Sequence, residues 1–111
     1  MENRFIVKDL AEEAAALAVD LVTQLPGAYR SYSDQLVRAS GSVALNLAEG
    51  FGRRAKDKRH HYTIAYASAR EASAGMRILL RTGRVSPAPA HQLLSSLGEV
   101  RAMTWRLIHP G

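Results

Sequence analysis

From Tyr62 to Leu79 the inward-type residues recur at steps of three, four, three, four and three: Tyr62, Ala65, Ala69, Ala72, Met76 and Leu79. That alternation is the seam of a helix packed lengthwise against other helices. Half of the seam is alanine. Small side chains let backbones approach closely but bury little area each, so such a fold leans on helix-to-helix packing. Three more segments carry rows of the same period. Leu10, Ala14, Leu17, Leu21 and Leu25 mark the first. Leu36, Ser40, Val43, Leu47 and Phe51 mark the second, and Leu93, Leu97, Val100, Thr104 and Leu107 the fourth. No segment alternates with period two, which argues against strands.

Punctuation sets the boundaries. Asp9-Leu-Ala-Glu12 has the form of a capping box with aspartate as the cap. Pro26-Gly27 ends the first helix. Ser31 or Ser33 is placed to cap the second, which runs to about Arg54, and Gly50 and Gly52 give its end the freedom to turn. The third spans about Asp57 to Thr82 and stops at Gly83. Ser86-Pro87, a cap followed by proline at the first helical position, opens the fourth, and Pro110-Gly111 closes it. Four helices with short connections predict an all-α, antiparallel up-down-up-down four-helix bundle, one domain over residues 1–111.

The second helix carries a polar face beside its apolar one. Gln35, Arg38, Ser42, Asn46, Glu49 and Arg53 recur at helical spacing and share one side. Amide, hydroxyl and carboxylate groups suit buried hydrogen bonds better than a surface row of Lys and Glu. The expectation is a helix with two contact faces, one in a core and one against another helix or subunit. Gln35, Ser42, Asn46 and Glu49 would then bond to Ser68 and Glu71 on helix three. A buried polar group without a partner costs about 1–3 kcal/mol, so a satisfied network selects one helix register over its slipped alternatives.

The remaining chemistry is sparse. With no cysteine, disulfides and thiolate metal sites are excluded, and a reducing compartment fits. No stretch reaches the roughly 20 apolar residues of a membrane span. Met1 to Leu10 holds Glu2, Arg4 and Lys8 and no apolar run, unlike a secretion signal. The expected location is the cytoplasm. A di-iron bundle needs Glu-x-x-His pairs, and none occurs. His60 and His61 are adjacent and point apart, while His91 and His109 lie near opposite ends of helix four, so no metal is expected. There is no Gly-x-Ser-x-Gly elbow and no Walker loop, and Gly50-Phe-Gly52 is more simply a helix end. No catalytic residues and no cofactor are expected.

Charge is the stronger signal. The chain carries a net +5. Residues 1–20 hold two basic and five acidic side chains, a net of −3, and the rest hold thirteen basic and five acidic, a net of +8. Arg53, Arg54, Lys56, Lys58 and Arg59 crowd the joint between helices two and three, offset by Asp57 alone. A helical row continues from there: Arg59, Thr63, Tyr66, Arg70, Ser73, Arg77 and Arg81, with Arg84 just beyond. Its rise is about 33 Å at 1.5 Å per residue. Such a ribbon can track a nucleic-acid backbone and offer one ring for stacking. The plain alternative is a solvated flank, or arginines paired with the acids of helix one or of a neighbouring subunit.

The run from Gln35 through Arg38, Ser42, Asn46, Glu49 and Gly50 to Arg53 resembles the signature of the small four-helix-bundle proteins encoded in intervening sequences of bacterial 23S ribosomal RNA genes. Leu25-Pro26 and Ile64-Ala65-Tyr-Ala-Ser68-Ala-Arg-Glu71 are similar to it as well. Ala67 stands where the family usually has glycine, and Ala55 lies near a usual hydroxyl position. The resemblance implies a left-handed bundle that assembles as a homopentamer. It also implies kinship with the accessory protein of diversity-generating retroelements, a basic pentameric partner of a reverse transcriptase and its RNA. Two readings follow. One is a non-enzymatic homo-oligomer that binds RNA or DNA through Arg53, Arg54, Lys56, Lys58, Arg59, Arg70, Arg77, Arg81 and Arg84. The other is a protein-interaction scaffold whose positive charge is incidental or matches an acidic protein partner.

Overall fold

The structure is a computed structural model that describes residues 3–111, with side chains from Phe5 onward. Its helices are α1 (Asn3–Val22), α2 (Arg30–Phe51), α3 (Ala55–Arg81) and α4 (Pro87–Ile108), and a 3-10 turn, Gly27–Tyr29, leads into α2. No strand occurs among the described residues. Backbones of α1 and α2, α2 and α3, α3 and α4, and α4 and α1 lie side by side, whereas the diagonal pairs α1–α3 and α2–α4 stay apart. That neighbour order, with short connections, is the expected up-down-up-down four-helix bundle, 43 by 23 by 17 Å.

Every residue of the α3 seam is buried. Leu36, Ser40, Val43 and Leu47 of α2 face it, as do Leu93, Leu97, Val100 and Thr104 of α4. Burying each of these leucines is worth about 1.5–3 kcal/mol. On α1 the inward row differs from the expected one. Val7, Ala11, Ala14, Ala18 and Leu21 are buried, while Leu10, Leu17 and Leu25 sit at its margin. Alanines, not the bulkier leucines, take the centre because α1 also packs closely.

Helix starts depart from the capping expectations. α1 begins at Asn3, so Asp9 lies in mid-helix. α2 begins at Arg30, whose N–H bonds the Gly27 carbonyl, and Tyr29 holds the cap position. Ser31 and Ser33 are therefore inside the helix, and the buried Ser33 hydroxyl has no hydrogen-bond partner among the described residues. α3 starts at Ala55, two residues before Asp57. At α4, Ser86 and Pro87 stand where expected, yet the Ser86 hydroxyl makes no capping bond. Gly83 has φ +75°, the left-handed geometry that ends α3.

Gly50 has a different purpose from the expected freedom to turn. It lies inside α2, and a Cβ there would come within 2.6 Å of Tyr62 Cε1 and 2.8 Å of Cδ1. The Tyr62 ring is buried and meets Phe51 edge-on at 6.0 Å, so it has little room to swing. Gly50→Ala should thus destabilise the bundle by about 1–2 kcal/mol, overpacking outweighing the better helix propensity of alanine. Thermal unfolding measures this as a drop of several degrees; an unchanged or raised midpoint would contradict the close approach.

Candidate nucleic-acid interface

The joint between α2 and α3 turns through Gly52, Arg53 and Arg54. Ala55 completes it with φ +46°, a left-handed conformation that is unusual for an L-residue. Arg53 is occupied: its guanidinium lies 3.3 Å from Glu49 and 4.0 Å from Asp57. Arg54, Lys56 and Arg59 are exposed, and Lys58 is half-buried. Among the described residues none of these four is within ion-pair distance of a carboxylate. The same holds for Arg70, Arg77, Arg81 and Arg84, all exposed. Thr63 lies in the same row and donates its hydroxyl to the Arg59 carbonyl at 2.8 Å. Ser73 does not join the ribbon, because it is buried in the packing, and Tyr66 is half-buried.

The acids of α1 are not the missing partners. α1 and α3 occupy opposite corners of the bundle. Glu12 instead bonds Lys8 on its own helix at 2.7 Å, and that hydrogen bond, with the attraction of the two charges, raises the lysine pKa above its usual value. Among the described residues the cationic row therefore has no carboxylate partner.

It also borders a groove that the sequence reading missed. At its lower end an open cleft of about 610 Å³ is edged by Lys56, Lys58 and Arg59 and floored by Tyr62, Leu107 and Ile108. Farther along, a second cleft of about 370 Å³ lies among Tyr66, Arg101, Ala102, Trp105 and Arg106. Arg101, Trp105 and His109 follow one another at four-residue steps, a signal present in the sequence on a helix whose apolar row drew the attention.

The polar face of α2 is partly what its spacing suggests. Ser42 Oγ and Ser68 Oγ meet at 2.9 Å, as expected. Asn46 Nδ2 donates to the Ser42 carbonyl at 2.9 Å and to Ser42 Oγ at 3.1 Å. Asn46 Oδ1 then accepts from His61 Nδ1 at 3.0 Å, a partner on α3 that the expectation lacked. Arg38 reaches Glu71 at 3.5 Å across the two helices, both well exposed. Glu49 turns to Arg53 rather than to α3. Gln35 is exposed beside Tyr32 and Ile78. The face is thus half-buried at its centre and wet at both ends. The buried hydroxyls of α2 with no hydrogen-bond partner among the described residues are those of Ser33 and Ser40, outside this stripe.

The family model of the 23S rRNA-intervening sequence protein matches residues 3–106. The chain belongs to that family. A crystal structure of a protein with unknown function from the S23 ribosomal protein family of Bacteroides thetaiotaomicron VPI-5482 superposes with a TM-score of 0.88. It is 22% identical, over 97% of this chain and 99% of that one, so the two share a fold. Among curated proteins none matches. In this member of the intervening-sequence family, the motif residues that touch α3 include Arg38, Ser42, Asn46 and Gly50, which follow one another in three successive steps of four along one edge of α2. Among the described residues no helix is long and apolar enough to cross a membrane, and no three His, Asp or Glu side chains gather as a metal site.

Asn46 is the hub of this contact, bonding to both helices. Asn46→Leu strands His61 and removes the bond to Ser42, and should lower stability by about 1–2 kcal/mol at a half-buried site. Chemical denaturation reads the loss; an unchanged midpoint would show that the network carries no register information.

Proposed function

We propose that this chain is a non-enzymatic homo-oligomer, pentameric as its family resemblance implies, that holds the backbone of RNA or DNA on its cationic flank in the cytoplasm. The observation that carries this reading is the segregation of charge. Arg59, Arg70, Arg77 and Arg81 run along one side of α3 with no carboxylate at ion-pair distance among the described residues, and the acidic helix α1 lies diagonally across the bundle. Unpaired guanidinium and ammonium groups are suited to phosphate oxygens, and Arg can meet them with two parallel bonds. Assembly multiplies the effect. Each added copy contributes another +5, and weak single contacts gain by avidity when several sites engage one strand.

Support for assembly comes from the outer face of α2. Val37, Gly41, Leu45 and Ala48 follow at steps of four, four and three on the side turned away from the core. Leu45 is 69% exposed, and beyond the neighbouring residues and backbone of α2 itself no described residue lies within 4 Å of where a Gly41 side chain would be. A protruding leucine beside small residues is the pattern of a helix that seats another helix. The same strip favours the second reading, a scaffold for a partner protein. Mass in solution by light scattering, with Leu45→Lys as control, separates a self-contact from an unfilled face.

Phosphate binding has a quantitative signature. Engaging about five cations on a single strand gives a slope near −3.5 in log affinity against log salt. Retention of labelled RNA should therefore fall about a hundredfold between roughly 50 and 200 mM salt. Replacing Lys56, Arg59 and Arg70 by Gln should flatten that slope by about 2. A flat salt response in the parent chain, or no retention at low salt, would refute the proposal.

A further inference from the structure

The cleft between α3 and α4 combines two features, and a backbone-binding surface needs only the second of them. One is an exposed aromatic platform. Trp105 is 48% exposed, and His109 stacks on it with ring centroids 4.2 Å apart and planes 26° from parallel. His109 is itself tied to the Trp105 carbonyl through Nδ1 at 3.0 Å, so the indole is held in place from one side. Tyr66 of α3 lines the same cleft. The other feature is the pair of arginines beside the indole. Arg101 and Arg106 flank Trp105, and among the described residues neither is within ion-pair distance of a carboxylate. A large apolar ring left half in water costs solvation free energy unless something covers it. An occupant with flat rings and negative charges at short intervals satisfies both features at once.

We infer that the α3–α4 cleft is a stacking site for unpaired bases, which makes the ligand single-stranded nucleic acid. This rests on the reading that the cationic flank holds phosphates, and adds what that flank cannot supply. In a duplex the faces of the bases are covered by their neighbours, so the indole of Trp105 finds a face to stack on only in a single strand. Arg101 and Arg106 meet the phosphates on either side of the stacked base. The strand then continues along the groove toward Arg59 and Lys56, where the wider cleft has an apolar floor at Tyr62 and Leu107. Stacking tolerates every base, so little sequence preference is expected.

Trp105 is the one tryptophan in the chain, so its fluorescence reports this site alone. The assembled protein is titrated with a short oligouridylate, an oligothymidylate, an RNA duplex of the same length and poly-glutamate. Both single strands should quench the emission, while duplex and poly-glutamate leave it unchanged. Trp105→Ala should weaken single-strand binding about tenfold and leave duplex binding as it was, and Trp105→Phe should recover most of the loss. Single strands that bind with undisturbed emission and equal affinity in Trp105→Ala overturn the stacking site and leave backbone binding standing. Equal quenching by poly-glutamate assigns the cleft to an acidic protein segment and overturns it too. Failure of every nucleic acid to bind at low salt removes the parent reading as well. Uridylate quenching without thymidylate quenching narrows the ligand to RNA and supports the site.

Discussion

The close approach of α3 to its neighbours governs the rest of the structure. Ala65, Ala69 and Ala72 are fully buried, so at those levels α3 itself contributes nothing larger than a methyl group between the facing backbones. Gly50 extends the same economy into α2, where the Tyr62 ring occupies the space of a missing Cβ. Because the helices are close, two hydroxyls as short as Ser42 and Ser68 can meet across the interface at 2.9 Å. The cost is area: alanines bury little, so the apolar contribution is concentrated in Leu36, Leu47, Met76, Leu79, Leu93 and Leu97. Small packing residues and a short-range polar pairing are thus one solution, and changing either side disturbs the other.

The same geometry shapes the electric field outside the bundle. With α1 and α3 on a diagonal, their charges are separated by the body of the protein, whose shorter dimensions are 23 and 17 Å. At physiological salt the screening length is about 8 Å. The acids of α1 are therefore too far away to cancel the field over the arginines of α3, and the chain presents two surfaces of opposite sign. A net charge of +5 understates this, since it averages over both. An approaching polyanion meets the local surface, not the average.

How much of this was legible depended on which physical signal each element used. The α3 seam follows from its steps alone, because a long helix with one inward stripe has no other way to bury it. α1 shows the limit: its alanines make several stripes nearly equal in hydrophobicity, and close packing chose the row through Ala11, Ala14 and Ala18. The start of that helix was misplaced at Asp9 because a capping box is a local pattern, and Phe5, Ile6 and Val7 already extend the helix before it. Within the site, Ser42 and Ser68 were legible as short polar groups at matching levels. His61 was not, since adjacency to His60 shows only that the two rings point apart; helix phase is what turns one of them toward Asn46. Trp105 was present in plain sight, but the sequence alone does not show that Tyr66 of α3 lines one cleft with it and with the two arginines of its own helix.

In the proposed assembly, the place where copies join would decide whether the cationic groove can serve a ligand at all. Packing α1 of one copy on α3 of the next would satisfy both charged faces and consume the groove. Packing through the Val37, Gly41, Leu45 and Ala48 strip has a different consequence. That strip lies on α2, and α2 is diagonal to α4 as α1 is to α3. A contact there need not cover Trp105, Arg101 or Arg106, which line the α3–α4 cleft. Exposed leucine gains more from burial against a second helix than exposed arginine gains from a surface ion pair, which is worth about 0–1 kcal/mol. On the proposed reading the apolar strip would accordingly be the stronger driver of self-association, and contact there would leave the cleft open to the proposed partner, which supplies both negative charge and flat rings.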